Sequence, residues 1–301
     1  MKSGSSGRPL AVYGAIAANF IVAVAKFVAA IFTGSSAMLS EGIHSVADTG
    51  NQLLLLLGIT RGRLPPDELH PFGHGKELYF WSLIVAIILF GVGGGMSVYE
   101  GIIHLQHPSP IEDATWNYVV LGLGVVVEGA AWVIALREIL KVRREGQSLW
   151  RAIRTSKDPA VFTVLGEDSA ALMGLIVAFL GIFLAQRLNM PALDGVASLV
   201  IGTILIVVAG YLAYESRDLI IGESADVTLV QGIRGLVKND PAVQEIERLL
   251  TMHLGPRDVL VAIELSFRPD LSGADIEETV DRLERKIGDE YPIVGHIFIE
   301  G

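Results

Sequence analysis

The chain contains six apolar stretches, each long enough to cross the hydrocarbon core of a bilayer. A membrane-spanning helix needs roughly 20 predominantly apolar residues. The six stretches cover residues 10–32, 38–59, 78–103, 116–136, 160–185 and 192–214. Only helices and closed barrels satisfy the backbone polar groups within lipid. We therefore predict an α-helical membrane protein, with a six-helix transport domain at 10–221 after a cytoplasmic segment at 1–9.

The composition supports a membrane protein and excludes several other classes. Hydrophobic residues make up 51% of the chain, and the mean hydropathy is +0.51. The 33 glycines suit close packing of helices in lipid. The absence of cysteine rules out disulfides, thiolate metal sites and thiol catalysis. A net charge of -10 argues against a nucleic-acid partner.

Residues 222–301 have the ordinary patterning of a soluble domain. We predict the order α-β-β-α-β, with helices over 226–238 and from Ser272 or Asp275 to 287. Strands are predicted over 243–252, 259–267 and 294–299. His253 and His296 look isolated, so we expect few or no tightly bound metals there. So small a domain buries little core alone, and we expect it to pair with a second copy in a homodimer.

The basic residues of the loops predict the orientation in the lipid bilayer. With both termini in the cytoplasm, nearly all loop lysines and arginines lie inside, and Arg187 lies outside. This distribution follows the positive-inside rule. The first apolar stretch is too long for a signal-peptide core, and no Arg-rich transit segment precedes it. We therefore expect a multi-pass protein of a bacterial plasma membrane.

The second apolar stretch carries an unusual set of polar residues: Glu41, His44, Asp48 and Asn51. His44 and Asp48 are four residues apart and share one helix face. Ionisable groups at membrane depth are costly and mark ion or proton pathways. A lone histidine would more simply form an interhelical hydrogen bond, but the neighbouring acids favour a metal site. Asn51 is either an additional ligand or a packing residue.

The fifth apolar stretch carries Glu167 and Asp168, which project about 100° apart on a helix. One imidazole and several carboxylates form a ligand set for zinc or a similar divalent metal. Protons compete with metal for the same lone pairs. An inward proton gradient could therefore drive metal outward.

Two further places carry candidate residues. The loop after the second stretch places Asp67, His70 and His74 around a glycine turn, which indicates a surface metal site. Glu128 in the fourth stretch is a proton relay, an accessory ligand or a structural partner for a residue such as Lys26. Asn19 and Asp194 remain undecided, with Asp194 favoured as a helix cap.

Two motifs resemble the cation diffusion facilitator family of divalent-metal/proton antiporters. They are Gly-Ser-Ser-Ala-Met-Leu-Ser-Glu-Gly-Ile-His-Ser-Val-Ala-Asp and His-Pro-Phe-Gly-His-Gly-Lys-Glu. The Glu-Asp pair in the fifth stretch looks most like the branch of the mitochondrial zinc exporter and its bacterial relatives. The resemblance implies a homodimer, a ferredoxin-like cytoplasmic domain and alternating access at a midplane site between helices 2 and 5. It assigns His44, Asp48 and Asp168 to that site.

One departure bears on the metal. Many zinc-transporting members have a histidine where this chain has Val164. The fourth ligand would then be Glu167, Glu41 or water. We predict Zn²⁺ export in exchange for protons, with Mn²⁺, Fe²⁺, Co²⁺ and Cd²⁺ as alternative substrates and no resident cofactor.

Two other function classes are a non-transporting metal-gated regulator and an intramembrane metalloenzyme. The regulator stays open, because binding ligands and transport ligands look alike. An enzyme is not expected, because the chain has neither a His-Glu-x-x-His motif nor a nucleophile constellation.

Overall fold

A computed structural model describes residues 8–109, 113–142 and 158–301. Side chains are described from residue 19 onward, except those at 138, 141, 142, 160 and 161. Most of the predicted segment 1–9 and the basic loop residues between 143 and 157 lie outside the described residues.

Six long helices contain the six predicted stretches, each extended by a few residues at one or both ends. They are α1 (Arg8–Thr33), α2 (Ser36–Arg61), α3 (Glu77–Gln106), α4 (Thr115–Val142), α5 (Pro159–Arg187) and α6 (Ala192–Ile221). Among the described residues, α3 to α6 are long and apolar enough to span a membrane, and the apolar part of α1 covers Asn19–Thr33. Helix α2 is long enough, but its polar residues lower its mean hydropathy below that of the other spans. The predicted fold class is confirmed.

Helix α3 contains a π-helical segment, Leu89–Gly95, that the sequence did not predict. Its sequence, Leu-Phe-Gly-Val-Gly-Gly-Gly, has four glycines, and this part of α3 packs closely on α6. A Cβ atom on Gly202 of α6 would lie 2.7 Å from Val98 Cγ2 and 2.9 Å from the Gly94 carbonyl oxygen. Gly101 meets Gly195 and Leu199 in the same way. Small residues therefore let the two helix backbones touch.

Helix α4 packs against both α1 and α5. Polar side chains join these helices: Thr33 Oγ1 donates to Asn117 Oδ1 at 3.0 Å, and Tyr118 Oη donates to Gln186 Oε1 at 3.0 Å. Trp132 Nε1 donates to Ser169 Oγ at 3.0 Å, one residue after Asp168. The last contact fixes the rotation of α5 at the point where its acids lie.

The C-terminal domain has the predicted α-β-β-α-β order. Its elements are α7 (Val227–Lys238), β1 (Val243–Gly255), β2 (Asp258–Phe267), α8 (Gly273–Glu290) and β3 (Val294–Glu300). The sheet order is β1-β2-β3, antiparallel between β1 and β2 and parallel between β2 and β3. Asp226 caps α7, and Ser272 with Asp275 forms a capping box on α8.

The turn between β1 and β2 is shorter than predicted, because β1 continues to Gly255. Gly255 pairs with Asp258, so only Pro256 and Arg257 form the turn. The core contains Ile233, Val237, Val261, Leu283 and Ile287. The two helices thus cover an apolar sheet face.

The chain forms two compact units, and the loop between α2 and α3 groups with the C-terminal domain. In this second unit a Cβ atom on Gly75 would lie 2.5 Å from the Leu254 carbonyl oxygen. Phe72 meets His296 edge to face with ring centroids 5.3 Å apart. Lys76 Nζ donates to the Ile220 carbonyl at 3.4 Å. The loop is therefore held by backbone contact and by an aromatic pair.

We expect Gly202→Ala to destabilise the helical unit, because its methyl group would collide with the α3 backbone. Overpacking of this kind costs about 1–3 kcal/mol. The matched control is Gly210→Ala on the same helix, where nothing lies within 4 Å of a Cβ atom. Thermal unfolding in detergent should show a lower midpoint for Gly202→Ala alone. Equal midpoints for the two variants would contradict this close approach.

Candidate metal-transport site

The predicted polar face of α2 lies inside the helical unit. Glu41, His44, Asp48 and Asn51 are all buried. With 3.6 residues per turn, positions 41, 44, 48 and 51 share one side of the helix. The structure therefore places the four side chains where the periodicity predicted.

Two amide side chains hold the carboxylate of Asp48. Asn19 Nδ2 of α1 donates to Asp48 Oδ2 at 3.0 Å, and Gln52 Nε2 donates to the same oxygen at 3.1 Å. These bonds orient the carboxylate, and a side-chain hydrogen bond also joins it to Glu167. Gln52 was missed from the sequence, although its i+4 spacing from Asp48 was a visible signal.

Helix α5 brings Glu167 and Asp168 to the same region. Both residues are buried, and Asn51 Nδ2 donates to Glu167 Oε1 at 2.7 Å. Asp48 interacts electrostatically with Glu167 and with Asp168. Asn51 thus acts as a bridge from α2 to α5, and the acids of the two helices face a shared interior.

Several buried polar atoms at this site have no hydrogen-bond partner among the described residues. They are both ring nitrogens of His44, Oδ2 of Asp168, Oε1 of Glu41 and Oδ1 of Asn51. Unpartnered polar atoms are rare in protein interiors, and a divalent cation would satisfy the imidazole of His44 and the carboxylate oxygen of Asp168. In this conformation the candidate ligand atoms are not drawn together as closely as those of the loop.

Lys26 of α1 determines the surroundings of Glu41. Lys26 is fully buried, and its Nζ donates to Glu41 Oε2 at 3.0 Å and to Ser45 Oγ at 2.7 Å. The ammonium group therefore bonds to Glu41, and the alternative hydrogen-bonded pair of Lys26 with Glu128 is not formed. Glu128 is buried on α4 and acts electrostatically on Asp48 and Asp168.

Asp194 lies in the first turn of α6, but it caps a different helix. Its Oδ2 accepts from the backbone amides of Ser36 at 2.5 Å and Ala37 at 3.4 Å, and its Oδ1 accepts from Ser35 Oγ at 2.8 Å. These amides begin α2, where a carboxylate is favourable. The expected cap role is thus fulfilled between helices, a contact that local sequence could not indicate.

The loop residues Asp67, His70 and His74 form a compact group in the second unit. Their candidate ligand atoms all lie within 4.8 Å of one another, which holds for this group alone among the described histidines and acids. His70 Nδ1 lies 3.1 Å from Asp67 Oδ1, and His74 Nε2 lies 3.0 Å from Asp67 Oδ2. Zinc commonly binds such a His₂Asp set.

Hydrogen bonds keep the Asp67 carboxylate ionised. The backbone amide of His70, followed by the side chains of His74 and His70 and the amide of Leu69, lowers the pKa of Asp67 to about 2.

In the tail, Asp258 lies near both His253 and His296, so the expectation that these histidines are isolated was wrong.

Comparison with protein families identifies the chain. Residues 12–221 match the cation efflux transmembrane domain, and residues 226–300 match the cytoplasmic domain of cation efflux proteins. The chain belongs to the cation efflux family, whose members are transporters and not enzymes.

Individual relatives point to more than one metal. The human mitochondrial proton-coupled zinc antiporter SLC30A9 is 37% identical over 84% of this chain and 45% of its own length. Metal tolerance protein C4 of Arabidopsis thaliana is 32% identical over 85% of this chain and 56% of its own length. The manganese efflux protein MneP of Bacillus subtilis is 24% identical over 94% of this chain and 93% of its own length. The chain thus spans about half the length of the first two relatives.

We expect Asp67 to remain ionised well below the ordinary range of aspartate. Its folded-state pKa is depressed, so its stabilising bonds are complete above pH 3.8 and are lost as the pH falls towards 2. Selective ¹³C labelling of aspartate should show no titration of Asp67 between pH 7 and pH 4. His74→Ala should raise the midpoint only partly, because the backbone amides remain. A wild-type midpoint near 3.8 would contradict the loop geometry.

Proposed function

We propose that the chain is a secondary transporter that exports Zn²⁺ from the cytoplasm in exchange for protons. The observation that carries this proposal is the buried imidazole of His44, whose ring nitrogens have no hydrogen-bond partner among the described residues. His44 shares a helix face with Asp48, and the acids Glu167 and Asp168 of α5 lie across from that face. His44, Asp48, Asp168 and Glu167 are the proposed ligands.

The exchange of metal for protons follows from the ligand chemistry. A proton on an imidazole or carboxylate occupies the lone pair that a metal needs. Several buried acids in a low-dielectric interior cannot all be ionised unless a cation is present. Metal and protons are therefore alternative occupants of one site. Alternating exposure of that site to the two sides couples their opposite movements.

Manganese is the second candidate substrate. Val164 stands where a histidine would add a second nitrogen ligand, so the proposed ligands are one imidazole and three carboxylates. Carboxylate oxygens suit harder ions such as Mn²⁺. The similarity to a manganese efflux protein supports this alternative.

We further propose a homodimer joined through the cytoplasmic domain and located in a bacterial plasma membrane. The domain match to a family cytoplasmic module and the small core of the tail support pairing of two copies. The similarity to an efflux protein of Bacillus subtilis supports a bacterial membrane. Arg61 at the end of α2, with Arg63 and Lys76 in the loop that follows, supports cytoplasmic termini.

Flux in proteoliposomes tests the transport mechanism. With an imposed proton gradient, the wild-type protein should move Zn²⁺, and Asp48→Ala and Asp168→Ala should each abolish the flux because they remove ligands. Asp281→Ala, an exposed acid on α8, is the control and should transport normally. Flux of Mn²⁺ in preference to Zn²⁺ would favour the manganese alternative.

Absence of gradient-dependent flux for Zn²⁺, Mn²⁺, Fe²⁺, Co²⁺ and Cd²⁺, with metal binding retained, would instead indicate a metal-gated regulator. Flux that persists in both acid variants would place the transport site elsewhere in the protein.

The orientation can be tested with single cysteines, because the natural chain has none. Leu188→Cys lies between α5 and α6, and Glu277→Cys lies on α8; both positions are exposed. In intact cells a membrane-impermeant maleimide should label Leu188→Cys, and it should label Glu277→Cys only after permeabilisation. The reverse pattern would place both termini outside the cytoplasm.

A further inference from the structure

The transport site contains a buried cation that the exchange mechanism does not use. Lys26 is 0% exposed, and so is its partner Glu41. A buried ammonium group is tolerated only when it is paired and hydrogen-bonded. Lys26 meets this requirement on one turn of α2, because its acceptors Glu41 and Ser45 are four residues apart and lie on either side of His44.

Glycines on the two neighbouring helices, α4 and α5, leave room for this ion pair. On α4, a Cβ atom on Gly124 would lie 3.6 Å from Cε of Lys26, and Glu128 follows one turn later on the same face. On α5, a side chain on Gly174 would collide with Oε1 of Glu41. Glycine at 174 therefore gives space to the Glu41 carboxylate, while Lys26 binds its other oxygen. The carboxylate is held between α1 and α5.

We propose that Lys26 is a selectivity-determining positioning residue, which holds Glu41 in an ion pair and so keeps that carboxylate out of the metal's ligand set. This inference rests on the proposed transport site at His44, Asp48, Glu167 and Asp168. It also gives Glu41 a role different from that of fourth ligand, for which the sequence offers Glu167, Glu41 or water.

The chemical consequence concerns the kind of metal that is bound. With Glu41 withheld, the proposed site has four ligands, one of them an imidazole, and this number suits the tetrahedral coordination of Zn²⁺. A released Glu41 would add an oxygen ligand and a negative charge. More oxygen ligands and a higher coordination number favour harder ions such as Mn²⁺. Loss of the ammonium group therefore shifts selectivity towards Mn²⁺.

The test compares Zn²⁺ and Mn²⁺ binding by calorimetry on the full-length protein in detergent. All variants carry Asp67→Ala, which disables the loop group, so that the transport site is measured. Lys26→Met removes the charge and retains the length of the side chain. We expect the ratio of Zn²⁺ to Mn²⁺ affinity to fall by about 10-fold or more, the size of second-shell effects at metal sites. Ser45→Ala is the matched control, because it removes the other acceptor and leaves Glu41 paired, so its ratio should not change.

The double variant Lys26→Met with Glu41→Gln supplies the second, independent measurement. A neutral pair of similar volume often replaces a buried ion pair without loss of stability, so this variant should fold even where Lys26→Met does not. We expect it to bind Zn²⁺ with a selectivity ratio within about threefold of wild type. If the ion pair only stabilised the helices, the second substitution would not restore the selectivity ratio.

Two results would overturn the proposal. One is an unchanged selectivity ratio in a folded Lys26→Met variant, which would make the ion pair a structural brace. The other is loss of Zn²⁺ binding in the double variant to the extent seen in Asp48→Ala, which would make Glu41 itself a ligand. Because binding is measured without a gradient, failure of transport in vesicles would remove the proposed function and leave this test intact.

Discussion

The cost of burying carboxyl groups within a bilayer is the constraint on which the helical unit depends. Ionisable side chains at membrane depth are expensive unless they are paired or line a polar interior. Here Glu41, Asp48, Glu128, Glu167 and Asp168 are all buried. Bonds from other side chains offset part of this cost. Lys26 forms an ion pair with Glu41. Asn19 and Gln52 donate hydrogen bonds to Asp48, and Asn51 donates one to Glu167.

A second feature of the helical unit is the close, glycine-lined contact between α3 and α6. Gly94, Gly101, Gly195 and Gly202 bring the two backbones together, and His104 Nε2 of α3 lies 3.7 Å from Asp194 Oδ2 of α6. Ser198 bonds to Ser40 of α2 and to the Ser97 carbonyl of α3. Asp194 of α6 then holds the first amides of α2. Helix α2 is thus anchored at its start, while its polar face lies against α1 and α5.

Much of the fold and part of the site follow from the sequence, for identifiable reasons. The six helices were predicted because a bilayer sets the length of an apolar stretch, and the tail because turns and amphipathic patterns mark its elements. The polar face of α2 was predicted because helical spacing is local. The pairing of Lys26 with Glu41 instead of Glu128 was not, since both acids satisfy the same charge argument. The π-helical segment of α3 was missed because glycine-rich sequences do not specify it.

The sequence by itself determined which residues share a helix face, which acids lie within apolar stretches and which family the motifs resemble, because these depend on local spacing and composition. The tertiary structure alone decided which side chains meet across helices. It joined Asn51 to Glu167, used Asp194 to cap α2 and placed Asp258 near two histidines that looked isolated. Such contacts depend on the rotation and separation of packed elements, which residues distant along the chain determine together.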